Sequence, residues 1–248
     1  MTIRSQIPLA AELTRHAAES IMAADTFSKP FPHIFFRDFF PSDFYANLTA
    51  RFPAKGYEAI KGDGTRMALR LYDDHVEGID ADLRAMWAAV SEMLRSPEVE
   101  RAIRVKLAEG LVTRARGDKV AGPDALKLVA KPVLYSDKDG YQIKPHPDTR
   151  KKVVTMQLYC PTDLSQEDLG TTLYKASLKG LLHADSSFLE PVKTLPFLPN
   201  VGYAFVVLKA YHTLTGMSWH GRPKIAAPVD KPRVSILNTF YRDEGVGF

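Results

Sequence analysis

Seven histidines stand along the chain, at positions 16, 33, 75, 146, 183, 212 and 220, and two of them, His146 and His183, precede an aspartate by two residues. The first lies in "KPHPDTRKKVVTMQLY", where a charged turn leads into a run that alternates as a β-strand does. Side chains at i and i+2 of an extended segment point the same way, so His146 and Asp148 can offer an imidazole and a carboxylate to one cation. Two ligands do not make a site. A second histidine from elsewhere would complete the set of two imidazoles and one carboxylate that holds iron(II) with positions left open for oxygen and an organic co-substrate.

"HAD", His183 to Asp185, repeats the spelling, and both His212 and His220 follow the strand-like "YAFVVLK". In a jelly roll, a pair on an early strand and a histidine on a late one meet in space with several strands of about 5–6 residues between them. The interval from His146 to His220 accommodates those strands, the intervals from His183 are short for them, and "HADSS" has no alternating run after it. His146 and Asp148 therefore rank ahead of His183 and Asp185. His220 ranks ahead of His212 because "RVSILNTFY" lies downstream, with Arg233 and Ser235 on one face of a strand. A guanidinium grips a carboxylate through two parallel hydrogen bonds, and a hydroxyl adds another, which suits a dicarboxylate beside the metal. Arg222 follows His212 at a tempting distance, but "GRPKIAAP" is poor strand material. His16, His33 and His75 read as structural.

Three helices are expected in the first half: "LAAELTRHAAES", "PSDFYANLTARF" with Pro41, Ser42 and Asp43 as its start, and the amphipathic "DADLRAMWAAVSEMLRS". "HIFFRDFF" and "RMALRLY" read as short strands between them. From about residue 126 the texture changes to strands parted by turns: "LKLVAKPVLYS", "DKDGYQIKPH", "KKVVTMQLYC", "TTLYKAS", "VGYAFVVLK" and "RVSILNTFY". That spacing predicts an antiparallel sandwich or barrel. The expected fold class is α+β with a mainly β core. One domain is expected over 1–248, with a helix-rich region over 1–125 and the β core over 126–248.

Composition narrows the function classes. With 45% hydrophobic and 25% charged residues the chain can bury a sizeable core. Lys and Arg number 33 against 29 acidic residues without a long run of either sign, so no nucleic-acid partner is expected. The single cysteine, Cys160, excludes an intramolecular disulfide and a multi-cysteine zinc site. The opening "MTIRSQIPLAAELTRHAAES" lacks the apolar core of a signal peptide, and no stretch approaches the ~18 apolar residues of a membrane span. A soluble, cytoplasmic protein without a membrane partner is expected.

Taken in order, "GYQIKPHPDT", "VVTMQLYC", "LGTTLY", "SWHG" and "RVSILNTFY", with the early "PFPHIFFRDFFPSDFYANL", make the sequence resemble the iron(II)/2-oxoglutarate-dependent oxygenases of the prolyl-4-hydroxylase-like bacterial type. The resemblance is fullest from about residue 126 onward. It implies a double-stranded β-helix, or jelly roll, with helices contributed mostly by the N-terminal half. It also implies that His146, Asp148 and His220 are the iron ligands and catalytic centre, and that Arg233 pairs with the distal carboxylate of 2-oxoglutarate. Ser235 and Tyr135 are further candidates for that carboxylate, and Thr155 for lining its pocket. The implied cofactors are Fe(II), 2-oxoglutarate as co-substrate and O2. The implied reaction is hydroxylation of a small-molecule substrate, a polar metabolite such as an amino acid. Arg66, Arg70 and Trp219 are candidates to shape the substrate pocket. Asp148 speaks against halogenation, whose enzymes replace that carboxylate with a small residue. Two departures stand out: Arg233 lies farther beyond His220 than the family pattern has it, and "GTTLY" stands where a Gly-Gly pair is usual. Two alternatives compete, a cupin-like metalloenzyme that does not use 2-oxoglutarate and a non-catalytic jelly-roll binding protein.

Overall fold

A computed structural model of the chain describes residues 9–60, 64–177, 189–213, 215–226 and 230–245. In chain order the elements are α1 (Leu9–Met22), β1 (Asp25–Phe27), β2 (His33–Arg37), α2 (Ser42–Ala50), β3 (Glu58–Ala59), β4 (Arg66–Arg70), α3 (Ala81–Leu94), α4 (Pro97–Lys106) and α5 (Ala108–Asp118). Then follow β5 (Val129–Asp137), β6 (Ile143–His146), β7 (Lys152–Tyr159), β8 (Thr171–Ala176), β9 (Leu189–Leu195), β10 (Val201–Val206), β11 (His220–Arg222) and β12 (Arg233–Tyr241). Two antiparallel sheets result, one in the order β1-β2-β10-β7-β12-β5-β4-β3 and one in the order β6-β11-β8-β9. They face each other as the two layers of a double-stranded β-helix, and the helices come from the N-terminal half.

The two faces of the large sheet follow from alternation along its central strands. Met156 and Leu158 of β7, Ala204 and Val206 of β10, and Ile236 and Phe240 of β12 point outward and pack under α1 and α3, where Leu13, Ile21, Trp87 and Val90 are buried. The residues between them point into the space between the sheets. There Tyr159, Val201, Tyr203 and Phe205 meet Leu173 of β8 and Leu195 of β9 in a second apolar cluster. The same inward register carries Thr155, Gln157, Asp137, Arg233 and Ser235, all buried. A β-core whose interior alternates aromatic with polar side chains is a pocket as well as a core, and its polar end is where the site lies.

The expectation of three helices falls short, because α4 and α5 also form. The start of α4 is locally encoded: the Ser96 side chain accepts a hydrogen bond from the Val99 N–H (3.3 Å), Pro97 stands in the first turn, and Arg104 and Lys106 sit in the last. α5 closes on Lys119 in a left-handed conformation (φ 56°). Strands β1, β3, β9 and β11 also lie outside the sequence expectation, and the strands of the first half extend the large sheet at both edges. Among the described residues, no helix is long and apolar enough to cross a membrane.

Candidate active site

β6 and β11 pair antiparallel with His146 directly opposite His220, so the two imidazoles project from one face with ring centroids 4.6 Å apart. Gly221 makes this approach possible, because a Cβ there would sit 2.9 Å from the Ile143 carbonyl oxygen and 3.0 Å from the Pro145 nitrogen. Asp148 follows β6 by two residues and reaches the same point: ligand atoms of His146, Asp148 and His220 all lie within 4.8 Å of one another. The Nε2 atoms of His146 and His220 are 3.9 and 3.7 Å from the two Asp148 carboxylate oxygens.

Both rings are oriented alike. Nδ1 of His146 donates to the Lys144 carbonyl (3.0 Å) and Nδ1 of His220 to the Ser218 carbonyl (2.9 Å). A carbonyl only accepts, so each Nδ1 carries the proton and each Nε2 turns a lone pair toward Asp148. That is the tautomer a metal ligand needs, held by the backbone. Burial pushes the His220 imidazolium down to about 4, so its ring is neutral at neutral pH. Burial pushes the Asp148 carboxyl up, but the Lys152 ammonium on Oδ1 and the Thr155 hydroxyl on Oδ2, both at 2.7 Å, help hold it well below the usual carboxylate range. The anionic form is the resident one. Two imidazoles with Nε2 turned to one point and one carboxylate suit iron(II).

The cavity beside the triad is walled by Thr155, Gln157, Thr171, Tyr203, Arg222 and Arg233, with Arg66 and Lys152 at its edge. Arg233 is 1% exposed, stacked 4.2 Å above Phe197, with Nε donating to the Leu169 carbonyl (2.7 Å) and Nη1 to Ser235 Oγ (3.3 Å). Burial, and then the neighbouring Arg222 guanidinium, lower its pKa to about 10, so it remains charged. Ser235 stands behind Arg233, its Oγ also accepting from Gln157 (3.0 Å). Thr155 faces the cavity, with its hydroxyl given to Asp148. Tyr135 lies farther out, its ring 3.6 Å beneath the Arg66 guanidinium, on a cleft of about 640 Å³ that adjoins the cavity through Arg66, Ile143, His146 and Lys152.

The remaining candidates are placed elsewhere. Nε2 of His212 donates to Asp118 (3.0 Å), and its Nδ1 accepts from the Lys209 N–H (2.9 Å), away from the triad. His183 and Asp185 lie outside the described residues. Arg70 pairs with Glu58 (2.9 Å) rather than with the cavity. A larger hollow, about 1050 Å³, lies against α1, α3 and the start of α4, and no triad residue lines it, so converging donors and not size mark the site. Two residues at the site, Lys152 and Asp137, have no role in the sequence analysis, and a third, Arg222, is considered there only beside His212. Lys152 is four positions after Asp148, Arg222 two after His220, and Asp137 two after Tyr135, so each is signalled by its spacing from a residue already singled out.

No protein-family model and no curated protein matches the chain. Solved structures do. HygX from Streptomyces hygroscopicus, crystallised with nickel and 2-oxoglutarate bound, overlays with a TM-score of 0.50 at 8% identity over 84% of this chain and 82% of its own. A prolyl hydroxylase from Trichoplax adhaerens, in complex with a hypoxia inducible factor peptide, overlays at 0.48 with 10% identity over 98% and 94%. A prolyl-4-hydroxylase from Pseudomonas putida overlays at 0.46 with 14% identity over 95% and 100%. The chain has the double-stranded β-helix fold of the 2-oxoglutarate/iron(II) oxygenases, and it carries a His-x-Asp and distal His triad on that fold.

Proposed function

We propose that this chain is an iron(II)- and 2-oxoglutarate-dependent dioxygenase that hydroxylates a small polar metabolite such as an amino acid. The observation that carries the reading is the convergence of two Nε2 lone pairs and a buried carboxylate, each imidazole locked by its own backbone carbonyl. When bound, iron and 2-oxoglutarate supply the oxidising power of O2, with 2-oxoglutarate leaving as succinate and carbon dioxide.

The chain's own groups do the rest. His146, Asp148 and His220 would hold the metal at the edge of the cavity. Lys152 and Thr155 keep Asp148 ionised and fixed, so the carboxylate is presented without a change in protonation. Arg233 takes the distal carboxylate of 2-oxoglutarate at the inner end, where Phe197 and Tyr159 exclude water from the pair. The substrate enters from the cleft beside His146, which alone of the triad is substantially exposed (side chain 41%).

The test is anaerobic addition of iron(II) and 2-oxoglutarate, followed by visible absorption. A charge-transfer band that needs both components, absent in His220→Ala, is the expected result. Stoichiometric iron binding without the band would favour a metalloenzyme that does not use 2-oxoglutarate, and no iron binding would favour a binding protein.

A further inference from the structure

Around the cavity, three guanidiniums face one carboxylate. Asp137, fully buried, lies opposite Arg66 on β4 and opposite Arg233 on β12, and Arg222 reaches it from the other sheet. Its oxygens are 3.3 Å from Arg66 Nε, 2.7 Å from Arg222 Nη1 and 3.3 Å from Arg233 Nη1. Among the described residues this leaves two positive charges in surplus, since Lys152 is already matched by Asp148. Buried surplus charge is costly unless an anion meets it.

The distal carboxylate of 2-oxoglutarate accounts for one of the two charges and belongs to Arg233. The other has a defined address. Arg222 is 3% exposed, lines the cavity and stacks on the Tyr141 ring; its Nη1 is committed to Asp137 while, among the described residues, Nε and Nη2 have no hydrogen-bond partner. Those two N–H groups form the side-on edge of the guanidinium, whose parallel donors match the two oxygens of a carboxylate. Arg222 and His220, two residues apart on β11, both line the cavity, which places the guanidinium in the same wall as the triad. Arg66 stands next to it, bonded to the Tyr141 hydroxyl. It borders both the cavity and the cleft, whose other charged wall residues, Lys144 and Lys152, are cationic. Of the charged side chains on that wall, Lys144 and Arg66 lie on the way an anion would take from the cleft to Arg222.

We propose that the primary substrate is a small carboxylic acid, and that its carboxylate is bound by the Nε and Nη2 edge of Arg222, with Arg66 guiding it from the cleft. This rests on the oxygenase reading for what happens next, but the fork itself does not depend on it.

The test uses protein loaded with nickel(II), which does not turn over, and 2-oxoglutarate, so that Arg233 is already occupied. Acetate is titrated at constant ionic strength, with acetamide as the uncharged match, and binding is read from the rise of the thermal midpoint. Acetate should bind saturably and acetamide should not. Arg222→Gln should weaken acetate about ten- to a hundredfold while 2-oxoglutarate affinity stays within about twofold. Arg222→Lys, which keeps a cation beside Asp137 but loses the fork, should also lose acetate if the glutamine variant does not fold. Equal binding of acetate and acetamide, acetate binding that survives both substitutions, or a tenfold loss of 2-oxoglutarate affinity would overturn the proposal. If the protein takes up neither nickel nor 2-oxoglutarate, the oxygenase reading fails instead. Acetate binding to the metal-free protein that needs Arg222 would then still support the fork, and its absence would overturn it.

Discussion

Replacing Thr155 by valine separates two roles that one hydroxyl could play. The substitution keeps the branched shape of a side chain that is 3% exposed, between Phe205 and Thr239 on the flanking strands. It removes the 2.7 Å hydrogen bond to Asp148 Oδ2 and leaves that oxygen without its donor, while Lys152 still holds Oδ1. A hydrogen bond to a charged group contributes about 1.5–3 kcal/mol, and loss of a group that orients a metal ligand lowers metal affinity roughly 10–100-fold. The assay is an anaerobic iron(II) titration against a competing chelator, with 2-oxoglutarate affinity measured separately at saturating metal. Iron affinity should fall by that factor and 2-oxoglutarate affinity should hold. The sign of the pH effect follows from Asp148, whose folded pKa is depressed. The stability lost in the variant stays lost above the ordinary carboxylate value of about 3.9, and the gap to wild type closes as pH falls through the folded values below it. Unchanged iron affinity with weakened 2-oxoglutarate binding would refute this assignment and place the hydroxyl in the co-substrate pocket.

Further outcomes are expected elsewhere in the chain. Arg233→Ala should weaken 2-oxoglutarate about ten- to a hundredfold in the anaerobic absorption titration while iron remains bound. His212→Ala removes a fully buried side chain that bridges Asp118 to the Lys209 N–H, and it should cost about 2–3 kcal/mol in chemical denaturation without changing iron affinity. His220→Ala should do the reverse, abolishing iron binding with a smaller effect on stability. Cys160 is buried and its thiol is pushed up to about 12, chiefly by burial, so iodoacetamide at pH 8 should label it at the rate of global unfolding, as read by mass spectrometry. Labelling of the folded protein as fast as a free thiol would contradict that burial.

Strand alternation, the His-x-Asp spacing and the strand segments after it were legible because they are local: a period of two decides which side chains share a face whatever the rest of the chain does. The inward register of Thr155, Gln157, Arg233 and Ser235 could be read in this way. So could α4, whose Ser96, Pro97 and terminal basic residues announce a helix that a search for amphipathic runs passes over. α5 is different. Its interior holds Gly110 and Gly117, and it is kept in place by Arg114, which is 1% exposed and donates to the Arg150, Lys152 and Val207 carbonyls at the start of β7 and just past the end of β10.

What the tertiary structure decided was which distant residues meet. The sequence ranks His220 ahead of His212 only through the strand that follows, and it is the pairing of β11 with β6, permitted by Gly221, that sets His220 opposite His146 while α5 takes His212 with Asp118. The prolines around Arg222 speak against a strand there, yet a strand of three residues is enough to bring it to the cavity wall. The surplus of positive charge around Asp137 could not be read along the chain at all. It arises from four residues on four strands of two facing sheets, and closure across the core, unlike alternation along a strand, depends on long-range packing that local spacing does not encode.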